Sequence, residues 1–302
     1  MVLAAGLVLF ASACKAEPES PSIEMQQLRT MRLPSGFPAT GASFTSGGRV
    51  VVWSATAPGF TISDADSFSK VRRLDGDPVL LVEIAAGVAG TDRVYRASGI
   101  IEDFEATDSS INSHHRIVVP PSSTLPTVLR SGDAIWFAAS DSVGVVAVSA
   151  GKSLRWGADV APGEQLVFGS FQGDLLVQEF LAPHRLLRLA MTGAGTPGKV
   201  RWQAAPPHLR GRATDWRGLR PIALGSGLLL QTIANVVDDT RTIALIRGDG
   251  SVLASTQLAQ PVAFHDADTV RHILLGLRRR GAADEVLLVQ YRFTKQSPQV
   301  NP

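Results

Sequence analysis

The chain of 302 residues contains a single cysteine, Cys14, so no internal disulfide can form and any core must hold by packing alone. Neither sign of charge dominates. Twenty-nine Lys and Arg against 27 Asp and Glu leave +2 with the histidines neutral, too little for a chain-wide nucleic-acid footprint, and the basic residues are not gathered on one predicted element. The apolar run at the N-terminus, Val2 to Phe10, has nine residues, short of the about 20 that a membrane-spanning helix needs. No G-x-S-x-G nucleophile elbow is present, and no Ser/His/Asp arrangement can be defended from spacing. The six histidines, His114, His115, His184, His208, His265 and His272, have no spacing that turns two of them toward one metal. Catalytic residues, metal ligands and cofactors are therefore not assigned.

What is present is a repeat. Turn residues at Gly48, Gly90, Gly132, Gly173, Gly227 and Asp268 each precede an apolar strand, at intervals of 42, 42, 41, 54 and 41 residues. A period of about forty residues built from short strands predicts a β-propeller, one blade per unit. Hydrophobic residues at 45% and charged residues at 19% suit a folded domain with many buried strands. The second strands, such as Val50 to Trp53 and Leu228 to Ile233, are apolar on both faces, as expected of strands sandwiched between blades. A fourth strand also occurs six times, but its series begins before the first blade, at Leu28 to Leu33, and the chain ends on a third strand, Val286 to Phe293. The expected fold is all-β: a six-bladed propeller of four-stranded blades, closed by an N-terminal strand that supplies the outer edge of the last blade.

In spacing and strand order, Leu28 to Phe293 resembles the six-bladed β-propeller lipoproteins and secreted propellers of bacteria, of NHL-like architecture, with no motif diagnostic of one family and no WD40 tryptophan-aspartate signature. Ahead of it, Ala11-Ser12-Ala13-Cys14 resembles a lipobox, in which the cysteine becomes the lipidated N-terminus. Ala11 stands where leucine is commonest, and the same small residues also satisfy ordinary signal cleavage. The expected organisation is a signal peptide over 1–13, the lipidated Cys14 and a polar tether over 14–24, the propeller over 25–294 and a C-terminal tail over 295–302. The resemblance implies export and lipid anchoring in the cell envelope, with plain secretion as the alternative. It also implies a monomeric ring that touches the membrane through its lipid alone and does not bind nucleic acid.

Local motifs mostly dissolve into turns. Gly193 to Gly198 spells G-x-G-x-x-G, but a strand rather than a helix N-terminus follows, so no phosphate site results. Ser67-Phe68-Ser69-Lys70 spells S-x-x-K in strand context, where residues three apart face opposite sides. The Asp64/Asp66, Asp75/Asp77 and Asp266/Asp268 pairs lack the rest of a calcium loop and are expected to be turn caps.

The long interval carries the expected site. Its extra residues fall between Ala204 and Pro221, where Arg210, Arg212, Arg217 and Arg220 against Asp215 give a local charge of 4 − 1 = +3, beside His208 and Trp216. Arginine forks take carboxylates and phosphates, and an exposed tryptophan stacks. This loop shares a rim with Asp238-Asp239 and Arg278-Arg279-Arg280; the bland alternative is a solvated loop paired to those acids. His208, Arg210, Arg212, Trp216, Arg220, Asp238 and Asp239 are therefore the candidate rim for a protein partner or small ligand of a non-enzymatic scaffold. The alternative function is a metal-dependent, lactonase-like hydrolase in the central channel, with Glu83, Glu102, Glu179 and Asn235 as the available ligands.

Overall fold

The computed structural model describes residues 21–69, 71–83, 91–105, 111–116, 119, 126–131, 134–141, 144–149, 152–156, 165–172, 174–179, 185–191, 197–204, 216–225 and 227–295. Among them there are strands and turns and no α-helix. After β1 (Pro21–Arg32) the chain builds blade 1 from β2 (Gly41–Phe44), β3 (Arg49–Trp53), β4 (Phe60–Asp64) and β5 (Arg72–Leu74). Blade 2 is β6 (Val79–Glu83), β7 (Asp92–Arg96), β8 (Ile100–Phe104) and β9 (Ile111–Arg116), and blade 3 is β10 (Thr127–Ser131), β11 (Ala134–Asp141), β12 (Gly144–Ser149) and β13 (Lys152–Trp156). Blade 4 is β14 (Gln165–Phe171), β15 (Asp174–Glu179), β16 (Leu186–Met191) and β17 (Pro197–Ala204). Blade 5 has its inner strand in two pieces, β18 (Trp216–Gly218) and β19 (Ile222–Ala223), followed by β20 (Leu228–Asn235), β21 (Arg241–Arg247) and β22 (Val252–Gln257). Blade 6 is β23 (Ala263–Asp268), β24 (Ile273–Arg280) and β25 (Ala283–Lys295), with β1 as its fourth strand.

Every sheet is an antiparallel meander running outward from the channel, and the six-bladed, four-stranded ring is as the spacing predicts. The sequence explains the radial order. In blade 5 the second strand, LLLQTIAN, is buried along nearly its whole length, whereas the outer strand, VLASTQ, is mostly exposed. A sheet buried on both faces must be covered by its neighbours, and the apolar clusters indeed lie between blades. Val51, Trp53, Phe60 and Ile62 of blade 1 pack with Val79, Val94, Tyr95 and Phe104 of blade 2. Phe171, Leu176 and Leu186 of blade 4 pack with Trp216, Leu229, Ile233 and Ala244 of blade 5. Each large side chain buried this way contributes roughly 1.5–3 kcal/mol.

Closure is continuous. β1 pairs with β25 from Pro21↔Lys295 to Arg32↔Glu285, with one bulge between Gln27 and Arg29. The pairing runs on into the next segment: the Leu33 N–H donates to the Asp284 carbonyl at 2.8 Å and the Ala39 N–H to Asp284 Oδ2 at 2.9 Å. Met31, Leu33 and Phe37 then bury themselves between blades 1 and 6. The ring therefore begins at Pro21, and residues 21–24, expected in the tether, are strand. The signal peptide, Cys14 and the tail beyond Lys295 lie outside the described residues, as does most of the glycine run at 193–198, which leads directly into β17.

Removing residues 21–32 unzips β25 and exposes both faces that blade 6 shares with its neighbours. The shortened chain should lose its cooperative thermal transition and aggregate, read by circular-dichroism melting and light scattering, while a shortening confined to residues 1–13 should leave the transition in place.

Candidate functional site in the central channel

The six inner strands, β2, β6, β10, β14, β18/β19 and β23, line the channel, and four of them are irregular at mid-course. An inner strand kept in perfect register would place alternate side chains into the blades and into the channel. β6 shifts register between Val79 and Leu81, β14 between Val167 and Gly169, and β23 between Phe264 and Asp266. The inner strand of blade 5 carries its extra residue in Leu219-Arg220-Pro221, between the pairs Gly218↔Ile233 and Ile222↔Leu230. A bulge re-aims one side chain and sharpens the twist. In the adjacent blades 5 and 6 the residues at these breaks are Arg220 and His265.

Arg220, His265 and Asp266 are half-buried on the inner strands of blades 5 and 6. Burial lowers the Arg220 guanidinium from its ordinary value, and the charges of Asp266 and then Glu83 pull it back. Glu83 belongs to blade 2, across the ring from blade 5, so the guanidinium senses carboxylates on two sides of the channel. Among the described residues no hydrogen bond or ion pair falls to the Arg220 side chain or to the His265 imidazole. Burial first and the Arg220 charge second depress His265 to about 4, so it is neutral at pH 7. Burial raises the Asp266 carboxyl, while hydrogen bonds and Arg220 act the other way.

Asp266 is already committed. Its Oδ2 accepts from Ser43 Oγ at 2.6 Å and from the Phe44 N–H at 2.9 Å, and its Oδ1 from the Ala267 N–H at 2.8 Å. It thereby seals blade 6 to blade 1 and sets an acidic group beside Arg220. The turn role expected for this residue is corrected: only its companion Asp268 caps a turn, accepting from the Val270 and Arg271 N–H groups.

Arg220 is itself held by its flanks. With the Gln178 amide in the orientation that satisfies both partners, its oxygen accepts from the Gly218 N–H at 3.1 Å and its nitrogen donates to the Gly218 carbonyl at 3.3 Å. A side chain of blade 4 thus acts as an additional strand edge for blade 5. Gly218 has to be glycine for this, because a Cβ there would stand 2.0 Å from Gln178 Oε1. On the other side of the break the Leu219 N–H donates to the Thr232 carbonyl at 2.7 Å.

The expected rim is redistributed. His208, Arg210 and Arg212 lie outside the described residues. Trp216, expected as an exposed stacking face, is buried in β18 among Leu229, Ile233 and Trp202, because the inner strand of blade 5 starts earlier than the repeat suggested. Arg220, expected on a rim loop, belongs to the inner strand and the channel. Asp238 and Asp239 do sit at the exposed β20–β21 turn, where they do turn work: Asp238 Oδ1 accepts from the Thr240 N–H and hydroxyl, which hold its carboxyl below the usual range, and Asp239 pairs with Arg241 at 2.5 Å. Of the arginine run, Arg278 is neutralised by the buried Glu285 at 2.5 Å.

The residues named for a metal are not brought together. Glu102 pairs with Arg96 at 2.7 Å, Glu179 with Arg185, and Asn235 Oδ1 accepts from the Val237 N–H at 2.8 Å in a turn. Glu83 accepts the Tyr95 hydroxyl and alone reaches the field of the channel. Among the described residues no group of three His, Cys, Asp or Glu is placed to hold a metal ion. Sequence reasoning passed over His265, expected at the end of a first strand over 261–265; the strand runs on to Asp268 and carries His265, Asp266 and Asp268 in one inner strand.

Two measurements test this geometry. Gly218→Ala should displace the Gln178 amide and cost about 1–3 kcal/mol, as overpacking does, in chemical denaturation. His265 binds its proton more weakly folded, at about 4, than unfolded, at its ordinary value of 6.5. The unfolded chain therefore takes up more protons between those values, and the contribution of this residue to stability falls as pH falls through that window. His265→Gln should flatten that part of the stability–pH curve, and Arg220→Gln should raise the His265 titration midpoint seen by NMR.

No protein-family model matches this sequence, and no curated protein does. Solved structures do match in fold. A streptogramin B lyase aligns over 91% of this chain and 98% of its own at 12% identity, with a TM-score of 0.55. A virginiamycin B lyase from Staphylococcus aureus aligns over 89% of this chain and 99% of its own at 11% identity and 0.55. A luciferin-regenerating enzyme aligns over 89% and 95% at 12% identity and 0.57. At such identities the likeness is one of fold, and the fold is the six-bladed β-propeller.

Proposed function

We propose that the protein is a binding module of the bacterial cell envelope that takes a small ligand in its central channel, against Arg220. The observation that carries this reading is a half-buried guanidinium on the inner strand of blade 5 that makes no hydrogen bond or ion pair among the described residues. A charge partly withdrawn from water without a bonded partner is suited to meet the counter-charge of a ligand. The remainder of the molecule behaves as a rigid frame, since the blade boundaries near the channel are stitched by Asp266 and by Gln178. Envelope anchoring through Cys14 rests on the lipobox-like Ala11-Ser12-Ala13-Cys14, with export by plain cleavage as its alternative. A protein partner on the rim of Asp238 and Asp239 is compatible with the same frame, where Val236 and Val237 stand 54% and 74% exposed.

A second reading is enzymatic, and one observation favours it: His265 is neutral at pH 7 beside a cation. A neutral imidazole accepts a proton, and an adjacent guanidinium stabilises the negative charge that develops when it does. Hydrolysis or elimination on a polarised carbonyl compound would use that pair. The enzymes among the proteins of similar fold include lyases.

Native mass spectrometry of the protein purified from its own envelope tests the channel. A small molecule should co-purify with the wild type and be absent from Arg220→Gln, while Asp238→Asn retains it; retention by Arg220→Gln would sink the reading. Cys14→Ser should abolish incorporation of labelled palmitate and release the protein from the membrane fraction.

A further inference from the structure

Arg220 and His265 occupy breaks on neighbouring inner strands, and β19 packs directly against β23. Because blades 5 and 6 are neighbours, the two residues lie on one side of the channel. They also offer complementary chemistry. The guanidinium presents a planar fork of donors, none of them bonded among the described residues, matched to the two oxygens of a carboxylate. The neutral imidazole presents one donor and one acceptor, which suits a hydroxyl or a carbonyl and is poorly used by a second anionic oxygen. Between them lies a limit on charge. Both Asp266 oxygens are filled by its three hydrogen bonds, so it offers a second anion nothing, and it and Glu83 of blade 2 are the acidic neighbours that act on the Arg220 guanidinium. A ligand carrying two negative charges would gain Arg220 once and meet its acidic neighbours twice.

We propose that the channel ligand is a small monocarboxylate with a hydroxyl or carbonyl next to the carboxylate, its two oxygens on the Arg220 fork and the neighbouring polar group on His265. This assignment rests on the channel reading and adds the class of ligand to it. It separates three candidate chemistries that a lone arginine would not. Phosphate and sulfate are disfavoured by the two acidic neighbours of Arg220, Asp266 and Glu83. Simple fatty acids lose the contact to His265. Neutral sugars leave the guanidinium unpaired.

The test is isothermal titration of the purified full chain at pH 7.5 and low ionic strength with lactate, propionate and inorganic phosphate. Lactate should bind at least tenfold tighter than propionate, because only lactate engages His265, and phosphate should bind more weakly than either. Arg220→Lys, which keeps the charge and loses the fork, should weaken lactate at least tenfold. His265→Gln should narrow the gap between lactate and propionate and leave propionate within about twofold of its wild-type affinity. A wild-type preference for phosphate, equal binding of lactate and propionate, or no binding of lactate overturns the ligand class, and these outcomes need no variant to fold. The channel reading fails separately, by retention of the co-purifying molecule in Arg220→Gln, so the two failures are told apart.

Discussion

Among the described residues the large apolar clusters lie between blades and not within one: they are shared between blades 1 and 2, 4 and 5, 5 and 6, and 6 and 1. Every interface therefore requires the next, and an open ring would leave two sheets half-covered. The pairing of β1 with β25 answers that need by joining the two ends of the chain in one sheet. With no disulfide available, this non-local strand pair is the step on which the burial of the remaining side chains depends.

Apolar packing holds the middle strands and takes in inner-strand residues such as Phe44, Val79, Trp216 and Phe264. Polar contacts join the blades beside it: Asp266 bonded to Ser43 and Phe44, Asp92 accepting from the Ser46 N–H, and Gln178 bonded to both backbone groups of Gly218. These contacts satisfy backbone groups that would otherwise face the channel unpaired. They also account for the uneven chemistry of the lining. The oxygens of Asp266 are filled by the frame, whereas Arg220 and His265, at the breaks of their strands, make no hydrogen bond among the described residues. Framework and site are thus made from neighbouring residues of the same strands, Asp266 serving the first and His265 the second.

The fold was legible because it is repeated. Six turns at near-even spacing identify the blades, and the surplus strand at Leu28 to Leu33 identifies the closure. The site was less legible, because it depends on departures from the repeat. The long interval was singled out as a loop, but its C-terminal part is strand: Trp216 is buried against blade 4 and Arg220 belongs to the inner strand. Period counting locates an irregularity without saying on which side of it the strand resumes. Asp266 was read as a turn cap because Asp-x-Asp usually is one, and only the contact with Ser43, 223 positions away, shows otherwise. Glu102 and Glu179 looked available for a metal because their arginine partners, Arg96 and Arg185, are six residues away on adjoining strands. Cross-strand ion pairs of that kind become visible once register is known.

The direction of β1 has a consequence for orientation. Its first residue, Pro21, pairs with Lys295, and its last, Arg32, with Glu285 beside the β24–β25 turn. The chain therefore joins the ring at the rim opposite the turns at 236–240 and 281–282 and crosses to them along the outside of blade 6. A molecule hung from its N-terminal end would hang like a cup from its base. The side bearing Val236, Val237, Asp238 and Asp239 would be turned away from whatever surface holds the other end of the leash, and that mouth of the channel would open toward the surrounding fluid.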